Sequence, residues 1–111
     1  MKNPIPYRIP IEEPMILKGQ PNAGEPGRTF YPLEGFETTV THFVVRETTP
    51  SNPFKPHKHE QKELWYIVSG EAFFIQDGEE KPVSAGDLIA IEPWLEHGLR
   101  TDTQVTWICL G

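Results

Sequence analysis

The distribution of proline constrains this chain more than any other feature of its sequence. Seven of its twelve prolines lie between Pro4 and Pro32. Proline lacks a backbone N–H and fixes φ, so this stretch holds neither a long helix nor a central strand. We predict that residues 1–34 form a proline-rich N-terminal arm. Its first apolar side chains alternate, which favours an irregular strand packed on the body of the protein or on a partner subunit. These side chains are Ile5, Tyr7, Ile9 and Ile11.

Residues 35–111 have the pattern of an all-β domain. Short runs of β-branched and aromatic residues alternate with turn residues at nearly regular intervals, which is typical of a sandwich or a barrel. The runs cover residues 36–49, 64–68, 71–76, 88–91 and 105–110. Only Ser69-Gly70 separates the second run from the third, Asp77-Gly78 predicts a hairpin, and Gly86-Asp87 predicts another tight turn. Six Phe, three Tyr and three Trp in 111 residues are enough to build one apolar core.

Charge and hydropathy disfavour several classes of function. The chain has 16 acidic and 10 basic side chains, and no nucleic acid partner is expected because phosphate binding needs clustered Lys and Arg. No membrane association is expected, since no run approaches the roughly 20 apolar residues of a membrane span. Residues 1–14 lack the apolar core of a signal peptide, so we expect a cytoplasmic protein. Cys109, the single cysteine, lies in an apolar run and is expected to be a buried structural thiol.

Three histidines and one glutamate form the most informative pattern. His57, His59 and Glu63 share parity, so an unbroken strand over residues 57–63 would direct both imidazoles and the carboxylate to one side. A straight strand would hold them too far apart for one ion, and the curvature of a barrel would bring them together. His97, from a distant strand, would complete the set. A His-x-His pair alone is weak evidence, because it also fits a solvated strand edge.

Two longer motifs that follow each other along the chain are more specific than the His-x-His pair. Residues 57–70 have the form HxHxxxExxxxxxG, which resembles the first motif of the cupin superfamily, and Gly86-Asp87 followed by His97 resembles the second. The spacer of 15 residues between them is typical of small single-domain members, the cupin type 2 conserved barrel proteins. The resemblance implies a small jelly-roll β-barrel, or double-stranded β-helix. It also implies one divalent metal ion, held by His57, His59, Glu63 and His97.

The chain departs from these motifs at four positions. Ser51, Glu92, Trp94 and Thr101 stand where glycine, proline, glycine and asparagine, respectively, are usual. The second motif therefore depends mainly on Gly86, Asp87 and the spacing to His97. An unusual course of the loop over residues 92–96 would bring Glu92 or Glu96 to the site instead.

The types of ligand indicate the type of metal. Three neutral imidazoles and one carboxylate suit Mn, Fe, Ni, Co, Cu or Zn and do not suit Ca or Mg. Four protein ligands leave one or two positions open on a five- or six-coordinate ion. Trp65 and Ile67 share parity with Glu63 and are expected to line the pocket or to pack in the core. Trp94 is expected to cap the pocket or to anchor an interface. We interpret His42 as structural.

These patterns leave two classes of function open, besides a metal site that only stabilises the barrel. The first is a metal-dependent enzyme that acts on a small organic molecule, since cupins resembling this chain include dioxygenases, isomerases, decarboxylases and lyases. Candidates for its general base are Tyr66, Glu92 and Glu96. The second class is a non-catalytic barrel that binds or senses a metal or a metabolite. We also expect a homodimer, because a small barrel exposes strand edges that the arm of a second copy can cover.

Overall fold

The computed structural model describes residues 14–111, and the alternating residues Ile5 to Ile11 lie outside them. The described residues contain no helix, and therefore none that could cross a membrane. They form an antiparallel sheet that curls into a half-barrel, so the prediction of an all-β barrel fold is confirmed. The strands are β1 (Gln20–Pro21), β2 (Arg28–Phe30), β3 (Phe43–Thr48), β4 (Phe54–His57), β5 (Glu63–Gln76), β6 (Glu79–Ser84), β7 (Leu88–Ile91), β8 (His97–Arg100) and β9 (Val105–Leu110).

Strand β5 connects the two parts of the sheet. Its first part, residues 63–70, pairs with β7 on one side and with β9 on the other. Its second part, residues 71–76, pairs with β6 and with β8. The order through the sheet is β1-β2-β3-β9-β5-β8-β4, and β6 and β7 also pair with β5. Strands β1 and β2, which lie within the predicted arm, extend the sheet beyond β3.

Gly70 allows β5 to continue from one part of the sheet to the other. Its φ is 94°, and a Cβ at this position would overlap the carbonyl oxygen of Gln104 and lie 3.0 Å from Cα of Val105. The register with β9 shifts just before it, between Ile67 and Ser69. The prediction that Ser69-Gly70 separates two strands is therefore wrong. The glycine provides a positive φ beside a bulge in one continuous strand, rather than in a turn.

The other two turn predictions are confirmed. Asp77 and Gly78 have φ of 50° and 80° and close the β5–β6 hairpin. Gly86 has φ of 95°, and the N–H of Asp87 donates to the carbonyl of Ser84 at 3.0 Å. Both turns use the tolerance of Gly and Asp for positive φ.

The strand predictions were less complete. The run 36–49 contains a strand only from Phe43 to Thr48, and β4, β6 and β8 lie outside the five predicted runs. Strands β4 and β6 contain Pro56 and Pro82, which argue against a central strand. Each pairs with a single neighbour, so the missing N–H of proline can face away from the ladder.

The core packs directly against the predicted site. Trp65 and Trp107 are fully buried, and their ring centroids are 4.3 Å apart. The ring of Phe54 lies 5.3 Å from each of them. His97 is also fully buried, with its ring 5.4 Å from that of Trp65. The aromatic core therefore fixes the position of one of the predicted ligands.

Candidate metal centre

The four predicted ligands come from the ends of three strands and one connection. His57 ends β4, Glu63 begins β5 and His97 begins β8, while His59 lies between β4 and β5. His57 and His97 are opposite each other in the β4–β8 register. The expectation of an unbroken strand over residues 57–63 is wrong, because the chain leaves the sheet after His57 and re-enters it at Glu63. This bend, together with the pairing of β4 with β8, brings the four residues together.

The donor atoms of these residues converge. Nε2 of His97 lies 3.2 Å from Nε2 of His59. Glu63 reaches both rings, with Oε2 3.4 Å from Nε2 of His59 and Oε1 3.8 Å from Nε2 of His97. One ligand atom each of His57, His59 and His97 lies within 4.8 Å of the other two. Ligands at 2.0–2.2 Å from one ion are about 3.0–3.5 Å apart. The two separations from Nε2 of His59 lie in this range, so the cluster could hold a metal ion.

Backbone carbonyls set the tautomers of two imidazoles. Nδ1 of His97 lies 2.7 Å from the carbonyl oxygen of Leu95, and Nδ1 of His57 lies 3.2 Å from that of Lys55. A carbonyl only accepts, so Nδ1 donates in each ring and Nε2 keeps its lone pair for the cluster. Burial, which disfavours the charged form, is the main cause of the lowered pKa of His97. Nδ1 of His59 is buried without a hydrogen-bond partner among residues 14–111.

Glu63 supplies the negative charge among the four predicted ligands. Only 10% of its side chain is exposed, and burial by itself would raise its pKa. Oε2 lies 3.2 Å from Nε2 of His42, and Oε1 accepts the indole N–H of Trp65 at 3.0 Å. These two contacts and the charge of His59 outweigh burial and lower the pKa of Glu63 to about 2. The carboxylate is therefore ionised at neutral pH.

Two residues beside Glu63 were not predicted to belong to the site. His42, interpreted from the sequence as structural, contacts Glu63, and Sγ of Cys109 lies 3.5 Å from Nε2 of His42. Cys109 is buried, as expected; burial and the charge of Glu63 raise the pKa of its thiol to about 12. These residues meet because β9 pairs with both β3 and β5. No local spacing in the sequence signals this contact.

An open cavity of about 430 Å³ lies beside the cluster. Its wall includes His57, His59 and Glu63 on one side, and also His42 and Cys109. The cavity therefore gives small molecules access to three of the four predicted ligands and to the two additional residues, while His97 is fully buried and does not line it.

Two arginines line the same cavity. Nη1 of Arg46 donates to Oε2 of Glu25 at 2.7 Å, and this hydrogen bond is the main cause of the lowered pKa of Glu25. The guanidinium carbon of Arg46 lies 4.6 Å from the ring centroid of Phe54. Nε of Arg46 is buried and has no hydrogen-bond partner within the described part of the chain. Arg28 lies 3.7 Å from Glu25, so this wall carries two positive charges and one negative charge.

The predicted pocket residues do not line this cavity in the described structure. Trp65 and Ile67 are fully buried in the core, and Trp65 reaches the site through its indole N–H. Trp94 is 62% exposed, and its backbone N–H donates to the carbonyl of His59 at 2.8 Å. Its φ is 64°, at the position where the cupin motif usually has glycine.

The three candidates for a general base also lie away from the cavity. Tyr66 is exposed on the outer face of β5. Glu92 makes an exposed ion pair with Lys62 at 3.6 Å, and Glu96 accepts the backbone N–H of Asp77 at 2.6 Å. Neither glutamate takes the place of His97.

The curled sheet, the two motifs and the histidine cluster define a class of protein. The family model for the cupin domain matches residues 43–111. The chain belongs to the cupin family.

Three individual proteins that match this chain share 20–28% of its sequence over the aligned residues. One curated relative, an oxalate-binding protein of Thermotoga maritima, is 28% identical over 68 residues, which are 60% of this chain and 56% of the relative. The chain thus spans little more than half the length of that protein. An RmlC-like cupin from Shewanella frigidimarina has a TM-score of 0.63 at 25% identity, over 75% of this chain and 71% of its own. A predicted oxalate decarboxylase from T. maritima has a TM-score of 0.67 at 20% identity, over 86% and 96%, and is similar in fold.

Proposed function

We propose that the protein is a metal-dependent cupin enzyme that acts on a small organic carboxylate. His57, His59, Glu63 and His97 would hold one divalent ion, of Mn, Fe, Ni or Zn. The ion would supply a Lewis acid with open coordination positions. In this proposal the four ligands hold the ion, Trp65 orients the carboxylate of Glu63, and Arg46 binds the charged end of the substrate.

The observation that carries the proposal is the approach of two imidazole nitrogens to each other. Nε2 of His59 and Nε2 of His97 are 3.2 Å apart, and Nε2 of His97 keeps its lone pair because Nδ1 donates to Leu95. Two nitrogens at this distance need a proton or a cation between them. The ionised Glu63 beside both rings favours a cation.

Arg46 supports a carboxylate as the substrate class. Arg46 lines the same cavity as His57 and His59, and its Nε is a buried donor without a partner among residues 14–111. A carboxylate accepts hydrogen bonds from guanidinium with favourable geometry and charge. The oxalate-binding relative is consistent with this substrate class. A substrate with two oxygen donors could chelate the ion at one end and contact Arg46 at the other.

Metal binding is the first test. The purified chain, dialysed against Mn²⁺ at neutral pH, should hold about one ion per chain by elemental analysis. His59→Ala should abolish this binding and keep a β-type circular dichroism spectrum. Gln61→Ala is the matched control, because Gln61 lies in the same connection and donates to Thr41 rather than to the cluster. A wild-type chain that takes up none of Mn²⁺, Fe²⁺, Ni²⁺ or Zn²⁺ would overturn the proposal.

Calorimetric titration tests the substrate class. Oxalate should bind to the Mn²⁺-loaded chain and not to the metal-free chain, while its neutral analogue oxamide should bind weakly. Arg46→Gln should lower the affinity for oxalate about tenfold or more without changing the Mn²⁺ content. Arg100→Gln is the control, since Arg100 pairs with Glu80 outside the cavity. Equal affinities in wild type and Arg46→Gln would remove the proposed role of Arg46.

A non-catalytic binding protein is the second candidate. It is favoured by one observation: none of Tyr66, Glu92 and Glu96 lines the cavity within the described residues. Aerobic incubation of the metal-loaded chain with oxalate, keto acids, diketones and sugar acids separates the two candidates. Product formation or O₂ consumption that requires His59 identifies an enzyme, whereas saturable binding without product identifies a binding protein.

The homodimer also remains a prediction. Strands β5 and β7 expose the apolar side chains Leu64, Tyr66, Val68 and Leu88 on their outer face, and burying such a face is a common basis of self-association. Analytical ultracentrifugation should show a dimer of the full chain, and Leu88→Glu should shift it towards monomer. A wild-type monomer at micromolar concentration would exclude this prediction.

A further inference from the structure

The carboxylate of Glu63 contacts three imidazoles. Its contacts within the predicted site are with His59 and His97, at 3.4 and 3.8 Å. Oε2, the oxygen that contacts His59, also lies 3.2 Å from Nε2 of His42, which is outside the predicted ligand set. Within the described part of the chain, no Lys or Arg pairs with this nearly buried carboxylate. Glu63 is therefore within reach of two groups of potential metal ligands, and a carboxylate so placed can be shared between two ions.

The second group has three different donors. His42, Glu63 and Cys109 each offer one ligand atom within 4.8 Å of the other two. Nε2 of His42 lies 3.2 Å from Oε2 of Glu63 and 3.5 Å from Sγ of Cys109. In a tetrahedral zinc site with bonds of 2.0–2.3 Å, nitrogen, oxygen and sulfur ligands are about 3.3–3.6 Å apart. The two separations from His42, 3.2 and 3.5 Å, are close to these values, and the third is under 4.8 Å.

We propose that His42, Glu63 and Cys109 form a second metal site, which binds Zn²⁺ or Co²⁺ and shares Glu63 with the three-histidine site. The inference goes beyond the proposed function and depends on it only through the shared carboxylate. A sulfur ligand selects borderline and soft ions, so this site discriminates against Mn²⁺. The three-histidine site has only nitrogen and oxygen donors and accepts Mn²⁺.

The chemistry of Cys109 is compatible with this role. Binding replaces the thiol proton by the metal, so one proton is released to solvent for each ion bound. The thiol is a weak acid here because it is buried beside a negative charge, and a divalent cation reverses that local electrostatic effect. His42, Glu63 and Cys109 line the open cavity, which gives an ion a route from solvent. The side chain of His42 is 25% exposed at this wall.

The experiment compares Co²⁺ with Mn²⁺. After dialysis under reducing conditions, the wild-type chain should contain two Co²⁺ ions but one Mn²⁺ ion by elemental analysis. The Co²⁺ form should also show a thiolate-to-cobalt charge-transfer band in the near ultraviolet. Cys109→Ser should lower the Co²⁺ content from two to one, abolish the band and keep one Mn²⁺. Val44→Ala is the matched control, because Val44 is the buried cross-strand neighbour of Cys109 and has no donor atom in its side chain.

The two proposals fail in different ways. His59→Ala should lose Mn²⁺ but keep one Co²⁺ and the charge-transfer band. If the wild-type chain binds no Mn²⁺ but still shows the band, only the proposal of the three-histidine site is wrong. A wild-type chain with one Co²⁺ and no band overturns the second site, even if Cys109→Ser does not fold. Two Co²⁺ ions that persist in Cys109→Ser overturn it as well, because the second ion then lies elsewhere.

Discussion

The indole N–H of Trp65 donates a hydrogen bond of 3.0 Å to Oε1 of Glu63 and so joins the apolar core to the proposed metal site. Trp65 is fully buried against Trp107 and Phe54, so its ring has little freedom to turn. A ligand that is held by a rigid second residue keeps its orientation when the ion leaves. We therefore expect the packing of the core to contribute to the metal affinity of the proposed site.

Trp65→Phe tests this connection. The variant removes the donor to Glu63 but keeps an aromatic ring, and it should lower metal affinity by about tenfold or more. Its free energy of unfolding should fall by about 1–3 kcal/mol, because a buried hydrogen bond and packing volume are lost. Trp107→Phe is the control, since the indole of Trp107 donates to Thr48 instead. It should lower stability and leave metal affinity unchanged; equal losses of affinity in both variants would contradict a specific role of Trp65.

Glu63→Gln should retain the fold and lose metal affinity. The amide has the shape of the carboxylate but removes the single negative charge of the proposed four-ligand set. Metal affinity should fall by more than about 100-fold, which is the largest loss expected for a group that only orients a ligand. Competition with a chromophoric chelator measures the affinity, and Glu60→Gln, an exposed neighbour, is the control. Unchanged affinity in Glu63→Gln would exclude Glu63 as a ligand.

The metal-free protein should lose stability on acidification in two steps. The pKa of His97 in the folded chain is lowered, mainly by burial, so this imidazole binds a proton more readily in the unfolded chain than in the folded one. The free energy of unfolding therefore falls as the pH drops below about 6.5. The pKa of Glu63 is lowered from 4.5 to about 2, so its contribution is complete above pH 4.5 and is lost between these values. A shift of this size amounts to about 3 kcal/mol at most. Urea unfolding from pH 8 to pH 2 measures both steps, and Glu63→Gln should reduce the lower one, to which the lowered pKa of Glu25 also contributes.

Gly70→Ala should be one of the most destabilising substitutions in β5. An alanine there has to adopt φ of 94°, and its Cβ overlaps the carbonyl of Gln104. We expect a loss of about 3 kcal/mol, from the backbone strain and the overlap together. Gly78→Ala isolates the first effect, because Gly78 has φ of 80° but no atom within 4 Å of its added Cβ. Gly78→Ala should lower the free energy of unfolding by about 1 kcal/mol. If chemical denaturation gives equal losses for the two variants, the structure around residue 70 adjusts to remove the overlap with Gln104.

Trp94→Gly should be more stable than Trp94→Ala by about 1 kcal/mol. Both variants remove the same exposed indole, but only glycine adopts φ of 64° without strain. The difference should appear as a melting temperature about 4 °C higher for the glycine variant. If the alanine variant melts at the same temperature or higher, the left-handed backbone at this position carries no cost.

The part of the fold that could be predicted is the part with local signals. The hairpin at Asp77-Gly78 follows from residues that accept positive φ, whatever surrounds them. Ser69-Gly70 carries the same signal, but there β9 pairs across it and converts it into a bulge within β5. Whether glycine ends a strand or bends it depends on the neighbouring strand, which the local sequence does not contain.

The same limit applies to the site. The motifs bring His57, His59 and Glu63 together because they are close in sequence. The contact of Glu63 with His42 and the position of Cys109 depend on β9 lying between β3 and β5. Such a contact between distant segments has no periodicity by which it could be recognised.

Strand β5 begins with Glu63, ends at the Asp77-Gly78 hairpin and is paired along its length with four other strands. Residues 64–66 and 73–75 of β5 pair with a strand on each side. Local opening of one neighbour leaves their backbone held by the other, so their amide protons should be among the slowest of the domain to exchange with solvent. Glu63 directly precedes the first of these segments and pairs with Ile91 of β7. The backbone of the residue at the centre of both metal proposals is therefore attached to one of the most protected segments of the molecule.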